Sequence, residues 1–150
     1  MVSAPLENAS TGSGIVAFAP YHLADIEPPL VLREPMRLFA IAYCPNGPAL
    51  TFVERGQVMG AAGLAIDGPQ AKAWAFLSPP LRNRPQGLHR SIKRTLPKLK
   101  RVYGLESVLA EAHPDHAPSR FWLDRLGFRF DGVGERCPIL GERPLRYIYR

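Results

Sequence analysis

The sequence predicts one α/β domain, a mixed sheet with a central parallel pair of strands and flanking helices. A strand, an amphipathic helix and a second strand follow one another between Ala71 and Ala112, and strands connected in this way pair in parallel through a right-handed crossover. A β-hairpin precedes this unit between Ala49 and Ile66, and a short helix and two more strands follow it. The length of 150 residues suits a single domain.

The first part of the chain contains short predicted elements. Residues 1–13, rich in small and polar side chains, predict a flexible leader, and their pattern indicates no signal peptide. The domain is expected to occupy residues 14–150 and to begin with a strand at Gly14–Phe18. Two short helices are predicted at Pro20–Ile26 and Arg37–Tyr43.

The clearest local pattern is the hairpin. Ala49–Val53 and Val58–Ile66 are its strands, with turn residues between them. Gly60 and Gly63 inside the second strand indicate a bulge or the close approach of another backbone. The next apolar segment, Ala71–Leu77, predicts a mostly buried strand.

Two helices are predicted in the second half. In the first, apolar side chains recur every three or four residues, at Leu88, Ile92, Leu96, Leu99 and Tyr103. Pro97 predicts a kink or an early stop there, and Gly104 predicts the cap. The second helix, Pro118–Leu126, has proline in its first turn and Gly127 after its end. Strands are predicted around these helices, at Ser107–Ala112, Phe128–Phe130 and Leu145–Arg150.

Positive charge is concentrated in the second half. The net charge is +6, yet residues 1–80 contain four Lys/Arg against six Asp/Glu, whereas residues 81–150 contain fifteen against seven. Eight cations with no acid between them fall in one stretch: Arg82, Arg84, Arg90, Lys93, Arg94, Lys98, Lys100 and Arg101. Such a patch attracts phosphate on a nucleotide, a nucleic acid or an anionic surface, and charge alone does not choose among these.

Composition disfavours several classes of protein. No apolar run approaches the roughly 20 residues of a membrane span, and 46% hydrophobic with 21% charged residues is typical of a folded, soluble chain. Cys44 and Cys137 form no CxxC motif or Cys/His cluster, so reduced thiols in a cytoplasmic protein are expected.

Two segments indicate chemistry. Trp74–Ile92 places a basic loop between a strand and a helix, and the unpaired amides and dipole of a helix N-terminus favour an anion such as pyrophosphate. A structural turn that happens to be basic is the alternative. Ser107–Phe130 predicts a strand, a His-Pro-Asp-His loop and a helix that ends in Gly127-Phe128, an ending that a glycine cap explains by itself.

Together these segments resemble the GNAT superfamily of N-acyltransferases, over residues 14–150. The family's acyl-CoA loop has the pattern Arg/Gln-x-x-Gly-x-Gly/Ala between a strand and a helix, and Arg84–His89 occupies that place. His116–Phe128 is similar to the family's later helix, which ends in Gly-Phe, and Glu54–Gly60 resembles its hairpin. The resemblance implies a GNAT-like domain whose parallel strand pair is split around the pantetheine arm of acyl-CoA.

The resemblance also implies a site for acetyl-CoA as co-substrate. The residues expected to contact it are Leu77, Arg84, Gln86, Gly87, Leu88, His89 and His116. His89 stands where the family's loop has a small residue. Two consequences are open: its bulk weakens CoA binding, or its imidazole donates a hydrogen bond to the phosphate. His116 stands where the family often has Asn. Leu123 stands where many members have the Tyr that protonates the departing thiolate, which leucine cannot do.

The general base is less apparent. Glu111 and His113 share a face of their predicted strand, and either could deprotonate an amine directly or through water. The alternative is that Glu111 pairs with a nearby arginine and His113 is solvated at the strand end. A metal site of His113, Asp115 and His116 is conceivable, but such crowding in a proline loop is more often a turn, and no metal is expected.

Three functions compete at this level. The first is an acyl-CoA-dependent N-acyltransferase that transfers an acetyl group to a primary amine by direct attack. The second is a non-catalytic structural or assembly protein with a degenerate CoA site and a protein partner, since Ser119–Phe128 and the altered loop look similar to phage-encoded GNAT-like proteins of virion assembly. The third, a nucleic-acid binder, is disfavoured because Tyr103 is the only aromatic residue by the basic stretch.

The amine acceptor has no motif of its own. In the GNAT fold its side would be lined by the short helices near residues 20–43 and by the loop Gly132–Pro144. The expected contacts are Tyr21, His22, Tyr43 and Cys44. No membrane partner is expected.

Overall fold

The computed structural model describes residues 13–19, 22, 26, 46–78, 86–136 and 143–150. Within them, seven strands form one sheet in the order β1-β2-β3-β4-β5-β7-β6, accompanied by two helices. The strands are β1 Ser13–Ala17, β2 Ala49–Glu54, β3 Gln57–Asp67, β4 Gln70–Leu77, β5 Ser107–Ala112, β6 Arg129–Val133 and β7 Leu145–Tyr149. The helices are α1 Gln86–Val102 and α2 Ala117–Leu126. The pair β4–β5 is parallel, which confirms the predicted mixed sheet with a central parallel pair.

Contacts divide the chain into two compact units. One comprises Met1–Ala65 and Ala75–Arg84, and the other comprises Ile66–Trp74 and Pro85–Arg150. Residues 1–12 of the predicted leader and the predicted helix at Arg37–Tyr43 lie outside the described residues, whereas Ser13, the last predicted leader residue, begins β1. The predicted helix at Pro20–Ile26 also lies outside them, apart from its residues 22 and 26.

In the first unit, β1, β2 and β3 form an antiparallel meander. The two-residue turn between β2 and β3 is Arg55-Gly56, and both residues have positive φ, 52° and 76°, as the tight hairpin requires. The β2–β3 register shifts at Phe52/Val53, where Phe52 pairs with Gly60 and Val53 with Val58. The bulge predicted from the glycines of this strand therefore lies beside Gly60.

A histidine is buried in the same unit. His22 is 2% exposed, and its Nδ1 accepts from the Ala19 backbone N–H at 3.1 Å and lies 2.6 Å from Thr51 Oγ1. Thr51 itself is fully buried. A buried imidazole must be hydrogen-bonded to avoid a desolvation cost, so these contacts give His22 a structural role.

In the second unit, α1 has one buried and one charged face. Leu88 and Leu96 are 0% and 4% exposed, and their spacing of eight residues places them on the same side. The helix runs through Pro97 to Val102, so the prediction of an early stop was wrong. Pro97 is exposed, and water can satisfy the Lys93 carbonyl that loses its helical partner there. Gly104, at φ 63°, then ends the helix, as predicted.

The rest of this unit follows the sequence prediction closely. β7 pairs antiparallel with β5 on one side and with β6 on the other. α2 ends at Gly127, whose φ of 102° is the left-handed conformation that glycine tolerates. Phe128 follows at 4% exposure and packs against Tyr149 with ring centroids 5.4 Å apart. No described helix is long and apolar enough to cross a lipid bilayer.

Candidate functional site

The backbone pairing between β4 and β5 is short. Three residue pairs are in register, Gln70↔Ser107, Ala71↔Val108 and Lys72↔Leu109. Within the second unit β4 continues to Trp74 and β5 to Ala112 without further β4–β5 pairing, whereas all five residues Val108–Ala112 remain paired with β7. Within the second unit, Ala73 of β4 and Ala110 of β5 therefore already lie beyond the end of the ladder. The parallel pair is therefore split after three residue pairs, as the resemblance of the sequence motifs implied.

The crossover from β4 leads to the N-terminus of α1. The helix begins at Gln86-Gly87 and has no acidic side chain in its first turn. Its first backbone amides have no partner inside the helix, and the helix dipole adds partial positive charge there. Leu88 is completely buried and fixes this end of the helix in the core. Arg84, the predicted cation of the loop, lies outside the described residues.

His89 is held by the other helix of the unit. Trp122 of α2 donates its Nε1–H to His89 Nδ1 at 3.1 Å, so the neutral imidazole has its proton on Nε2. Burial lowers the pKa of His89, and the charges of Arg125 and Lys93 lower it further. The ring is therefore anchored to Trp122 through Nδ1, which leaves Nε2–H as its remaining donor.

Glu111 forms an ion pair, but with a lysine rather than the arginine considered above. Lys72 Nζ lies 2.7 Å from Glu111 Oε1, and the two side chains are 37% and 32% exposed. Lys72 is the last β4 residue that pairs with β5. The ion pair therefore links the two strands at the point where their backbone ladder ends.

The second carboxylate oxygen of Glu111 faces a tight place near Gly134. A Cβ on Gly134 would lie 3.2 Å from Glu111 Oε2 and 2.9 Å from Cγ of Arg146. Arg146 is the β7 partner of Glu111 and extends to Asp131, with Nη2 and Oδ2 3.5 Å apart. Glycine at position 134 thus leaves room for both side chains.

His113 lies just after β5 and is exposed. Its Nδ1 accepts from the Asp115 backbone N–H at 3.0 Å, so the neutral ring has its proton on Nε2. β5 ends at Ala112, so Glu111 belongs to the strand and His113 to the loop that follows it, whereas both were expected on one face of the strand. Among the described residues, no group of three or more His, Cys, Asp or Glu side chains could hold a metal ion.

His116 has a local structural role. It is the N-cap of α2, and its Nδ1 accepts from the Ser119 backbone N–H at 3.3 Å and lies 2.5 Å from Ser119 Oγ. An asparagine at this position would cap the helix through its side-chain oxygen. The histidine thus supplies the same acceptor from a different side chain.

The remaining predicted contacts lie in the first unit or outside the described residues. Leu77, at the end of β4, is half-buried. The next residue, Ser78, is 6% exposed, and its hydroxyl has no hydrogen-bond partner among the described residues. His22, predicted to contact the acceptor, is buried instead, while Tyr21, Tyr43 and Cys44 are not described.

Sequence reasoning missed two residues that the structure brings into this region. Lys72 lies in an apolar predicted strand and Trp122 in a predicted helix, and the sequence predicted no contact for either side chain. A lysine within an apolar strand favours a nearby carboxylate, because a charge taken partly out of water is stabilised by a partner of opposite sign. No sequence signal joins Trp122 to His89, since the two residues lie 33 positions apart.

Sequence comparison identifies no relative of this chain. No protein-family model matches it, and no curated protein matches it significantly.

Comparison with solved structures is informative about the fold. The microcin C7 self-immunity acetyltransferase, solved with acetyl-CoA and AMP, is 12% identical with a TM-score of 0.66 over 91% of both chains. The ribosomal-protein-S18-alanine N-acetyltransferase from Escherichia coli is 14% identical with a TM-score of 0.66 over 91% of this chain and 92% of its own. An acetyltransferase from Streptococcus agalactiae is 18% identical with a TM-score of 0.66 over 92% and 98%. The chain therefore has the GNAT fold.

Proposed function

We propose that this chain is an acyl-CoA-dependent N-acyltransferase that transfers an acetyl group from acetyl-CoA to a primary amine. The main support is the β4–β5 ladder, which ends after three residue pairs although both strands continue. An extended ligand with amide groups, such as pantetheine, can hydrogen-bond to strand edges that are not bonded to each other. The microcin C7 self-immunity acetyltransferase, which was solved with acetyl-CoA, has the same fold.

The start of α1 suits the pyrophosphate of the same ligand. Its first-turn amides and dipole attract an anion, and no acidic side chain of that turn opposes it. Arg84 would add a cation, and Gly87 would let the backbone approach. His89 would contribute its Nε2–H donor, because Trp122 already occupies Nδ1.

Catalysis requires mainly positioning. The amine nitrogen attacks the thioester carbon, the C–N bond forms, the C–S bond breaks, and the proton of the amine passes to a base. A thiolate whose conjugate acid has a pKa of about 8.5 leaves without a strong acid. Leucine at position 123 in place of tyrosine therefore slows the reaction without preventing it.

Glu111 is the better of the two proposed bases. His113 presents a proton at Nε2 in the tautomer that its Asp115 contact selects, so it cannot accept a second proton there. One carboxylate oxygen of Glu111, Oε1, pairs with Lys72, and the other, Oε2, can accept the amine proton directly or through water. Leu77 and His116 are proposed to line the ligand by their backbones, because His116 uses its side chain as a cap.

Ligand binding is tested first, by thermal shift with acetyl-CoA. At a concentration one hundred times Kd, a ligand adds about 2.7 kcal/mol of stability, which corresponds to a Tm increase of about 5–10 °C at this chain length. Arg84→Ala and Gly87→Trp should abolish the increase. The matched controls on the exposed face of α1, Arg94→Ala and Lys98→Trp, should keep it. No shift at millimolar acetyl-CoA would refute the proposal.

Turnover is tested by thiol release with a panel of primary amines. Glu111→Gln should lower kcat by about 10²–10⁴, the usual contribution of a general base. The control Glu106→Gln, another exposed acid of the same unit, should have wild-type kcat.

The alternative function, a non-catalytic GNAT-like protein, has two specific observations in its favour. Leu123 cannot protonate a leaving group, and one carboxylate oxygen of Glu111 is engaged by Lys72. Acetyl-CoA binding without release of thiol toward any amine would support this alternative. Turnover that depends on Glu111 would exclude it.

A further inference from the structure

The outward face of α1 is uniformly basic. Five of its six cations are exposed and the sixth is half-exposed: Arg90, Lys93, Arg94, Lys98, Arg101 and, half-exposed, Lys100. At 3.6 residues per turn these side chains fall within an arc of about 160°, opposite Leu88 and Leu96. From Arg90 to Arg101 the face is about 16 Å long. We name this surface the basic face of α1.

None of these six cations is neutralised within the described part of the protein. They form no ion pair with any described acid. Arg90 and Arg94, and Arg94 and Lys98, are four residues apart, so like charges repel along the helix. The cations of the first turns also oppose the helix dipole, since no acid accompanies them. The fold therefore maintains a charge arrangement that a bound polyanion would stabilise.

The phosphates of acetyl-CoA do not account for this face. An anion at the helix N-terminus can be reached from the second turn, where Arg90 and Lys93 lie. Lys98 and Arg101 lie twelve and fifteen residues after Gln86, which places them about 18–22 Å along the axis. At that distance salt screens the interaction almost completely.

We propose that the basic face of α1 binds the phosphate backbone of a nucleic-acid duplex, independently of the acyltransferase function. Pro97 is the one uncharged residue at its centre. A protein partner would require an apolar, aromatic-rich centre on this face. A membrane partner would require an apolar helix face exposed to the lipid. The absence of stacking aromatics argues against single strands but does not affect backbone contacts to a duplex. With one phosphate per about 1.7 Å of axis, the two strands of a duplex together have about nine phosphates over the length of this face, and only those on the facing side can contact it.

The test measures binding of labelled 24-base-pair RNA and DNA duplexes to the full chain by fluorescence anisotropy at several salt concentrations. Six phosphate contacts predict a slope of log K against log salt near −5. The triple variant Arg94→Gln, Lys98→Gln and Arg101→Gln should weaken binding on the order of tenfold and reduce the slope to about −3. The duplex that binds more tightly, RNA or DNA, identifies the source of the phosphates.

A matched control keeps the net charge of the triple variant. Arg55→Gln, Arg129→Gln and Arg150→Gln remove three exposed cations from other surfaces. This control should bind the duplexes as the wild type does, and both triple variants should keep their helical circular dichroism and the Tm increase with acetyl-CoA. Equal weakening by the two triple variants would overturn the proposal, since net charge alone would then explain binding. Equal or tighter α1-dependent binding to polyglutamate or to phosphatidylserine vesicles would overturn it as well.

Discussion

The hydrogen bond between Trp122 and His89 predicts a pH-dependent effect of the substitution Trp122→Phe. Phenylalanine keeps most of the ring but removes the Nε1–H that His89 Nδ1 accepts at 3.1 Å. Because only unprotonated Nδ1 can accept this bond, the bond favours neutral His89. Burial and the charges of Arg125 and Lys93 lower the pKa of His89 in the same direction. Trp122→Phe should therefore raise this pKa toward its usual value.

The stability effect follows from the same bond. A neutral hydrogen bond contributes about 1 kcal/mol, which corresponds to a Tm decrease of about 2–4 °C at neutral or alkaline pH. The pKa of His89 is lower in the folded than in the unfolded chain, so the unfolded chain binds the proton first on acidification. The stability that neutral His89 provides is thus complete above the usual pKa of about 6.5 and is lost as the pH falls through the lowered pKa. The difference between wild type and variant should shrink over that range.

Two measurements check this reasoning. Urea unfolding from pH 5 to pH 8 gives the stability difference, and NMR titration of the His89 ring protons gives its pKa. Trp74→Phe is the control for a lost indole ring at a buried position, and its cost should not change with pH in this range. An unchanged pKa of His89 in Trp122→Phe, or a stability difference independent of pH, would refute the argument.

Substitutions at four further positions test local features of the structure. His116→Ala should lower the free energy of unfolding by about 1 kcal/mol by removing the α2 cap, whereas His116→Asn should preserve it; equal losses in urea unfolding would contradict the cap. Thr51→Val should destabilise by about 1–3 kcal/mol because His22 loses a buried partner. Ser78→Ala should be neutral or stabilising because the Ser78 hydroxyl has no partner among the described residues, and calorimetry showing the reverse order would reject this. Gly134→Ala should cost about 1–3 kcal/mol in thermal unfolding by displacing Arg146, and a wild-type Tm would show that the site is less tight.

The sequence predicted most elements because their signals are local. The Gly127 cap, the hairpin and the strand Ser107–Ala112 appear at or within a residue or two of the expected positions, since turn chemistry and side-chain period act over a few residues. The prediction that the helix stops at Pro97 was wrong, because the burial of Leu88 and Leu96 in the folded protein outweighs the cost of one proline on the exposed face of the helix.

The candidate site was predictable only in part. Its location at the strand–helix junction followed from a local pattern, but the role of each side chain depended on partners far along the chain. His22, predicted to contact the acceptor, is buried. Glu111, a predicted base, forms an ion pair with Lys72, and His116, predicted to contact acetyl-CoA, caps α2 with its side chain. Residues 79–85 of the loop lie outside the described residues, so the Arg84 contact stays a prediction.

The sequence by itself determined the fold class, the parallel unit and the concentration of positive charge, because period, turns and composition are properties of neighbouring residues. Only the tertiary structure decided where β4 and β5 stop pairing, which partner Glu111 takes and how His89 is oriented. Each of these depends on long-range contacts, such as His89 with Trp122 and Lys72 with Glu111. Such contacts have no local sequence signal, since their energy is realised only when distant segments are brought together by the folded core.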